Sequence, residues 1–319
     1  MAKLLDTVLL LALPASGKSE VRTFLANQTP EVYKNDFHMG PTVQLDDYPY
    51  VHTMRRIDEV LTGAGEKGMF FQANDRPFAQ PKDWGTLINL LNEDYEQLVT
   101  QKPFKGDCAA THLFDRIDKA SVAAGLEPRI SQLPANLQEL LKKALNEECA
   151  KLIKKLEAEW TDLDGKTIVI EFARGGPDGS DLPLPAPFGY QHSLAQLSKN
   201  ILSRAKVLYI WVTPEESRRK NIARTDPNDP GSILHHGVPE AVMFGDYGLD
   251  DMEYLVNNSG RPNTICIQSG DEKFYLPIAR LDNRHDLTSF VRKEREDWQP
   301  AEIKALYDGL KEALDGLAG

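Results

Sequence analysis

The sequence predicts an α/β protein built on a doubly wound, mainly parallel five-stranded sheet, and three observations carry that expectation. Short apolar, β-branched runs recur along the chain at 7–13, 42–45, 167–172, 207–212 and 264–268, bounded by turn residues as strands are. Segments with helical spacing mostly alternate with them, which is the pattern of a parallel sheet joined by crossovers. Several runs, such as Val207-Leu208-Tyr209-Ile210-Trp211-Val212, are apolar almost without interruption, as strands covered on both faces must be.

Taken in order, Thr7–Leu13 is the first strand, and SEVRTFLANQ after it places Val21, Phe24 and Leu25 on one face of a helix. Thr42–Leu45 is the second strand. The stretch 50–164 that follows far exceeds the dozen residues a parallel crossover needs, so it reads as a helical insert. Within it Trp84, Leu87, Ile88, Leu91, Tyr95, Leu98 and Val99 keep helical spacing, a longer stripe runs from Leu137 to Trp160, and both stripes read as core. Asn136 with Glu139 resembles a capping box for the longer helix. The third, fourth and fifth strands then close the sheet, and a helix from Pro300 with Ile303, Leu306, Tyr307, Leu310 and Leu314 on one face docks on it. The expected organisation is a core of residues 1–49 and 165–296, the insert, and a closing helical segment at 297–319. Gly175–Gly189, dense in Pro and Gly, and Asp226–Gly248 read as functional loops.

Thirty-seven basic against 48 acidic residues leave a net charge of −11, which argues against nucleic acid or an anionic membrane as the main partner. A small molecule is the expected partner; the oligomeric state stays open. Cys108, Cys149 and Cys266 are odd in number and widely spaced, so neither a disulfide framework nor a zinc site is expected, in keeping with a reducing cytoplasm. The opening MAKLLDTVLLLALPASG imitates a secretory signal, but Asp6 interrupts it and Val8–Leu13 is short for an apolar signal core.

The chemistry concentrates at ALPASGKS, residues 12–19. A small residue, four spacers and Gly-Lys-Ser between a strand and a helix suit a loop that wraps its backbone N–H groups around a phosphate. Ala12, Pro14, Ala15, Ser16, Gly17 and Glu20 are the expected wrap. Lys18 would set its ammonium against the β- and γ-phosphates, and Ser19 would offer a hydroxyl to Mg²⁺. On these residues the chain resembles the P-loop NTPase superfamily, and within it the small-molecule and nucleotide kinases. Ala12 stands where the stricter form of the motif has Gly. The resemblance implies ATP and Mg²⁺ as cofactors.

Asp46-Asp47-Tyr48, ending the second strand, resembles the acidic element found there in the uridine kinase and phosphoribulokinase group. Either carboxylate could accept the proton of an attacking hydroxyl. Glu171, in the third strand, takes the place where the superfamily carries an acid for Mg²⁺, and Arg174 resembles the arginine with which nucleotide kinases grip the acceptor. In TPEESRRKNIART, Arg218, Arg219 and Arg224 resemble the start of a kinase lid, whose arginines stabilise charge on the transferring group. Asn283 and Arg284 lie where related kinases hold adenine. Asp75 and Arg76 are polar groups able to orient a substrate, and His235 and His236 could touch one. The expected function is ATP-dependent, Mg²⁺-assisted transfer of a phosphoryl group to a small-molecule hydroxyl or phosphate. The alternatives are acceptor-independent hydrolysis and nucleotide-binding regulation, although the Asn-Lys-x-Asp motif of GTPases and the LSGGQ signature of ABC ATPases are absent.

Overall fold

A computed structural model describes residues 4–104, 106–224 and 237–319, apart from the side chain of Arg224. In chain order the elements are β1 (Thr7–Leu11), α1 (Lys18–Ala26), α2 (Pro30–Asn35), β2 (Thr42–Asp46), α3 (Tyr48–Gly63), α4 (Asp83–Thr100), α5 (Ala109–Ala123), α6 (Ala135–Ala158) and β3 (Thr167–Phe172). They continue with α7 (Gly189–Ala195), α8 (Lys199–Leu202), β4 (Ala205–Trp211), α9 (Pro214–Arg224), α10 (Glu240–Gly245), α11 (Met252–Asn257), β5 (Thr264–Ser269), β6 (Glu272–Asp282) and α12 (Pro300–Ala318).

The protein is α/β, with six strands in the order β2-β3-β1-β4-β6-β5. All neighbours are parallel except β5 and β6. The expected five-stranded sheet is therefore one strand short. β6 escapes a reading by apolar runs because only Leu276 and Leu281 of its eleven residues are buried and Pro277 interrupts it, a residue that sheets confine to edges and irregular positions. The predicted fifth strand is real but lies at the sheet's edge. It forms a hairpin with β6 through a two-residue turn that begins at Gly270, with φ 56°.

Alternation within the buried strands assigns the two faces. Leu9 and Leu11 pack with Ile170, Val207 and the helices α4, α7 and α8. Val8 and Leu10 pack with Val169, Leu208, α1 and α12 on the other face. Each such side chain, fully withdrawn from water, contributes roughly 1.5–3 kcal/mol. Helices thus cover both faces. A third core joins α3, α4, α5 and α6 with Leu13, Val212 and Val242. Helix α4 belongs to two cores, since Ile88, Leu91, Tyr95 and Leu98 face the sheet while Trp84, Leu87 and Leu90 face the other helices.

Two local expectations are corrected. α6 begins at Ala135 after Pro134, with no side-chain cap, so Asn136 lies inside the helix instead of capping it. The loop expected over 226–248 contains helix α10, and residues 226–236 of it lie outside the described residues. Among the described residues no helix is long and apolar enough to cross a membrane.

The parallel register aligns strand ends, pairing Leu11 with Phe172 and with Tyr209, and Asp46 with Glu171. In such sheets ligands bind beyond the carboxyl ends of the strands. The segments after β1, β2, β3, β4 and β6 meet at that one edge.

Candidate functional site

The loop after β1 is shaped by two left-handed residues, Ala15 with φ 55° and Gly17 with φ 103°. Gly17 has a second constraint: a Cβ there would stand 2.5 Å from Thr288 Oγ1 and 2.8 Å from Asn283 Nδ2. Three other segments pin the loop carbonyls. The Tyr190 hydroxyl donates to Ala12 O at 2.9 Å, Ser217 Oγ to Pro14 O at 2.7 Å, and Asn283 Nδ2 to Ser16 O at 2.7 Å. Lys18 Nζ reaches back to Ala12 O at 3.4 Å and Leu13 O at 3.5 Å. The first N–H groups of α1, which have no acceptor inside the helix, follow directly, and residues 14–20 line a cavity of about 180 Å³. Ala12 itself is fully buried and contributes backbone. The Glu20 carboxylate is held by Arg292.

Asp46, Asp47 and Glu171 line the same cavity. Burial first, then the neighbouring Glu171 and Asp47, push the Asp46 carboxyl up to about 7. Glu171 is ion-paired with Arg22 at 2.7 Å, and the same guanidinium nitrogen lies 4.0 Å from Asp46. Arg22 was not foreseen. It sits one helical turn beyond Lys18, and that i,i+4 spacing is the signal that could have found it. Burial raises the Asp47 carboxyl as well, against the pull of Arg174.

Arg174 lies behind the cavity wall. It is 2% exposed and donates to Asp47 Oδ2 at 2.7 Å, Ala173 O at 2.6 Å, Trp84 O at 3.3 Å and Ser193 Oγ at 3.1 Å. Its guanidinium also lies 4.8 Å from the Trp84 ring centre. So committed, it positions Asp47 and does not line the cavity.

Beyond the carboxylates the cavity becomes an aromatic chamber, which the sequence did not disclose. Phe71 and Phe78 pair across an isolated bridge and stack at 4.5 Å; Phe78 meets Trp84 at 4.9 Å and Trp84 meets Tyr247 at 5.5 Å, both edge to face. Tyr48, Arg55 and Asp246 are its polar members. Arg55 spans the Phe71 ring at 3.9 Å and donates to the carbonyls of Asn74 and Arg76. Asp246 is buried, its Oδ2 has no hydrogen-bond partner among the described residues, and burial pushes its carboxyl up to about 7.

The other foreseen residues are placed elsewhere. Arg218 pairs with Asp178 and Glu215, and Arg219 with Glu216 and Asp286; neither lines the cavity. Arg224 closes α9, but its side chain, like His235 and His236, lies outside the described residues. Asn283 is wholly buried under the loop. Arg284 pairs with Asp282 and lies 3.7 Å from the Trp211 ring centre. Asp75 and Arg76 are exposed and face each other at 3.8 Å. Among the described residues no group of three or more His, Cys, Asp or Glu side chains is placed to hold a metal ion unaided.

Comparison with protein-family models, with curated proteins and with solved structures finds no match.

Proposed function

We propose that this chain is an ATP-dependent phosphotransferase of the P-loop kinase type, moving the γ-phosphoryl group to a hydroxyl of a small molecule. The observation that carries the reading is a single cavity bordered by the 14–20 loop with Lys18, by three carboxylates from adjacent strand ends, and by a separate apolar chamber. Phosphate binding and acceptor binding would then meet at Asp46 and Asp47.

In this reading the loop N–H groups and Lys18 hold the β- and γ-phosphates, at a helix N-terminus whose partial positive charge favours anions. Mg²⁺ fits the residues present: the buried Asp46 carboxyl beside Glu171 and Asp47 marks an excess of negative charge that a cation would relieve, and Mg²⁺ ordinarily needs only one or two protein carboxylates beside phosphate and water. Ser19 and Glu171 would hold it, and when bound it would neutralise charge on the phosphate oxygens. Asp46 is the better-placed proton acceptor, because it lines the cavity and its contact with Arg22 is loose, at 4.0 Å. Asp47 is already engaged by Arg174 at 2.7 Å and would hold the floor of the acceptor site. Arg22, 2.7 Å from Glu171, would hold that carboxylate in place.

The test is ADP release from Mg·ATP measured with and without candidate acceptors. Nucleosides, sugars, amino alcohols and their phosphates form the panel. The reading expects release to rise with one acceptor class and to fall roughly 10²–10⁴-fold in Asp46→Asn. Full-rate hydrolysis without any acceptor would replace it by a plain nucleotide hydrolase, and absence of nucleotide binding would remove it.

A further inference from the structure

The chamber end of the cavity contains a group that the transfer step does not use. Asp246 is 4% exposed, it lines the cavity, and its Oδ2 has no donor among the described residues. The Trp84 side chain lies near the carboxylate, and Oδ2 remains to be satisfied among the described residues. A buried acceptor without a donor is destabilising, and more so when charged, so the group is expected to gain a partner from whatever fills the chamber. Arg55 is the nearby cation, but it is engaged with two backbone carbonyls and the Phe71 ring.

We infer that the acceptor is an amino alcohol: a protonated amine pairs with Asp246, an apolar skeleton lies against Phe78, Trp84 and Tyr247, and the hydroxyl reaches the Asp46 and Asp47 end. Two classes fit less well. A phosphorylated acceptor would bring an anion against an unpaired carboxylate, and a polyol would leave hydroxyls facing aromatic walls without partners. A cationic amine donates a charge-assisted hydrogen bond to Asp246 and is attracted to the ring faces.

The catalytic half of this inference rests on the phosphotransferase reading; the binding half does not. Calorimetric titration of the nucleotide-free chain with 4-(aminomethyl)benzyl alcohol and with its neutral counterpart, 1,4-benzenedimethanol, tests the binding. The amine is expected to bind roughly tenfold or more tightly than the neutral probe. That advantage should vanish in Asp246→Asn, which keeps the side chain's size, while Phe78→Leu should weaken both probes alike. Equal affinities in the unaltered chain, an advantage that survives Asp246→Asn, or no saturable binding of either probe in the millimolar range would overturn the inference. Mg·ATP titrated separately distinguishes the two failures: amine binding without nucleotide binding sinks the phosphotransferase reading alone, and nucleotide binding without amine preference sinks only this one.

Discussion

The two ends of the cavity are built by opposite means. At the loop end, nine consecutive residues, Ala12 to Glu20, supply nearly everything, and what they supply is mostly backbone, held by hydrogen bonds from Tyr190, Ser217 and Asn283. At the chamber end, side chains from α3, the 71–78 segment, α4 and the region around α10 converge from positions as distant as Tyr48 and Tyr247. In the proposed reading a backbone-made site tolerates Ala12 and Pro14, because their side chains would not be the binding groups. A site made of side chains is specific to the rings and carboxylates that form it, which suits recognition of a variable partner.

The largest expected effect joins both ends. Arg174→Met should cost about 3–5 kcal/mol of stability, because it leaves Asp47 buried and unpaired and also removes the hydrogen bond to Trp84 O. Urea unfolding reads it, and a loss below about 1 kcal/mol would show that the ion pair does not couple the two ends. Lys18→Ala should touch the loop end alone, weakening Mg·ATP binding about 100-fold, or about 2.7 kcal/mol, by calorimetry. Unchanged nucleotide affinity would break the proposed division of labour.

Asp246→Asn probes the chamber through pH. The folded-state carboxyl lies at about 7, above the usual value of 3.8, so the folded protein holds a proton that the unfolded chain releases. Its relative contribution is therefore fully present below about pH 4 and lost as pH rises to about 7. The variant should become more stable relative to the unaltered chain across that window, by about 2 kcal/mol or more, and then level off. A pH-independent difference would show that Asp246 is solvated or paired after all. At the small end, Arg219→Ala removes only exposed pairs and should change stability by less than about 1 kcal/mol, with neither end of the cavity altered.

Legibility followed the same division. The loop at 12–19, Asp46, Asp47 and Glu171 could be read from the sequence because each stands in or just after an apolar strand, where a parallel sheet collects its ligand-facing residues. Arg174 was read from position alone, which says nothing of burial, and its four hydrogen-bond partners place it behind the cavity. The sixth strand was missed because its sparse burial leaves no apolar run. Trp84 was recognised as core from its helical spacing, yet it is also a cavity wall, since a helix shared between two cores has more than one buried face.

By itself the sequence determined the α/β alternation, the strands that lie at the centre of the sheet and the loop whose glycine and lysine end it, because these depend on apolar periodicity and on contiguous residues. The tertiary structure alone decided that Arg22 meets Glu171, that Arg174 is spent on Asp47, and that Asp246 enters an aromatic chamber with its Oδ2 unpartnered among the described residues. The two pairs join residues more than a hundred positions apart, and no local pattern carries a distance across such a span.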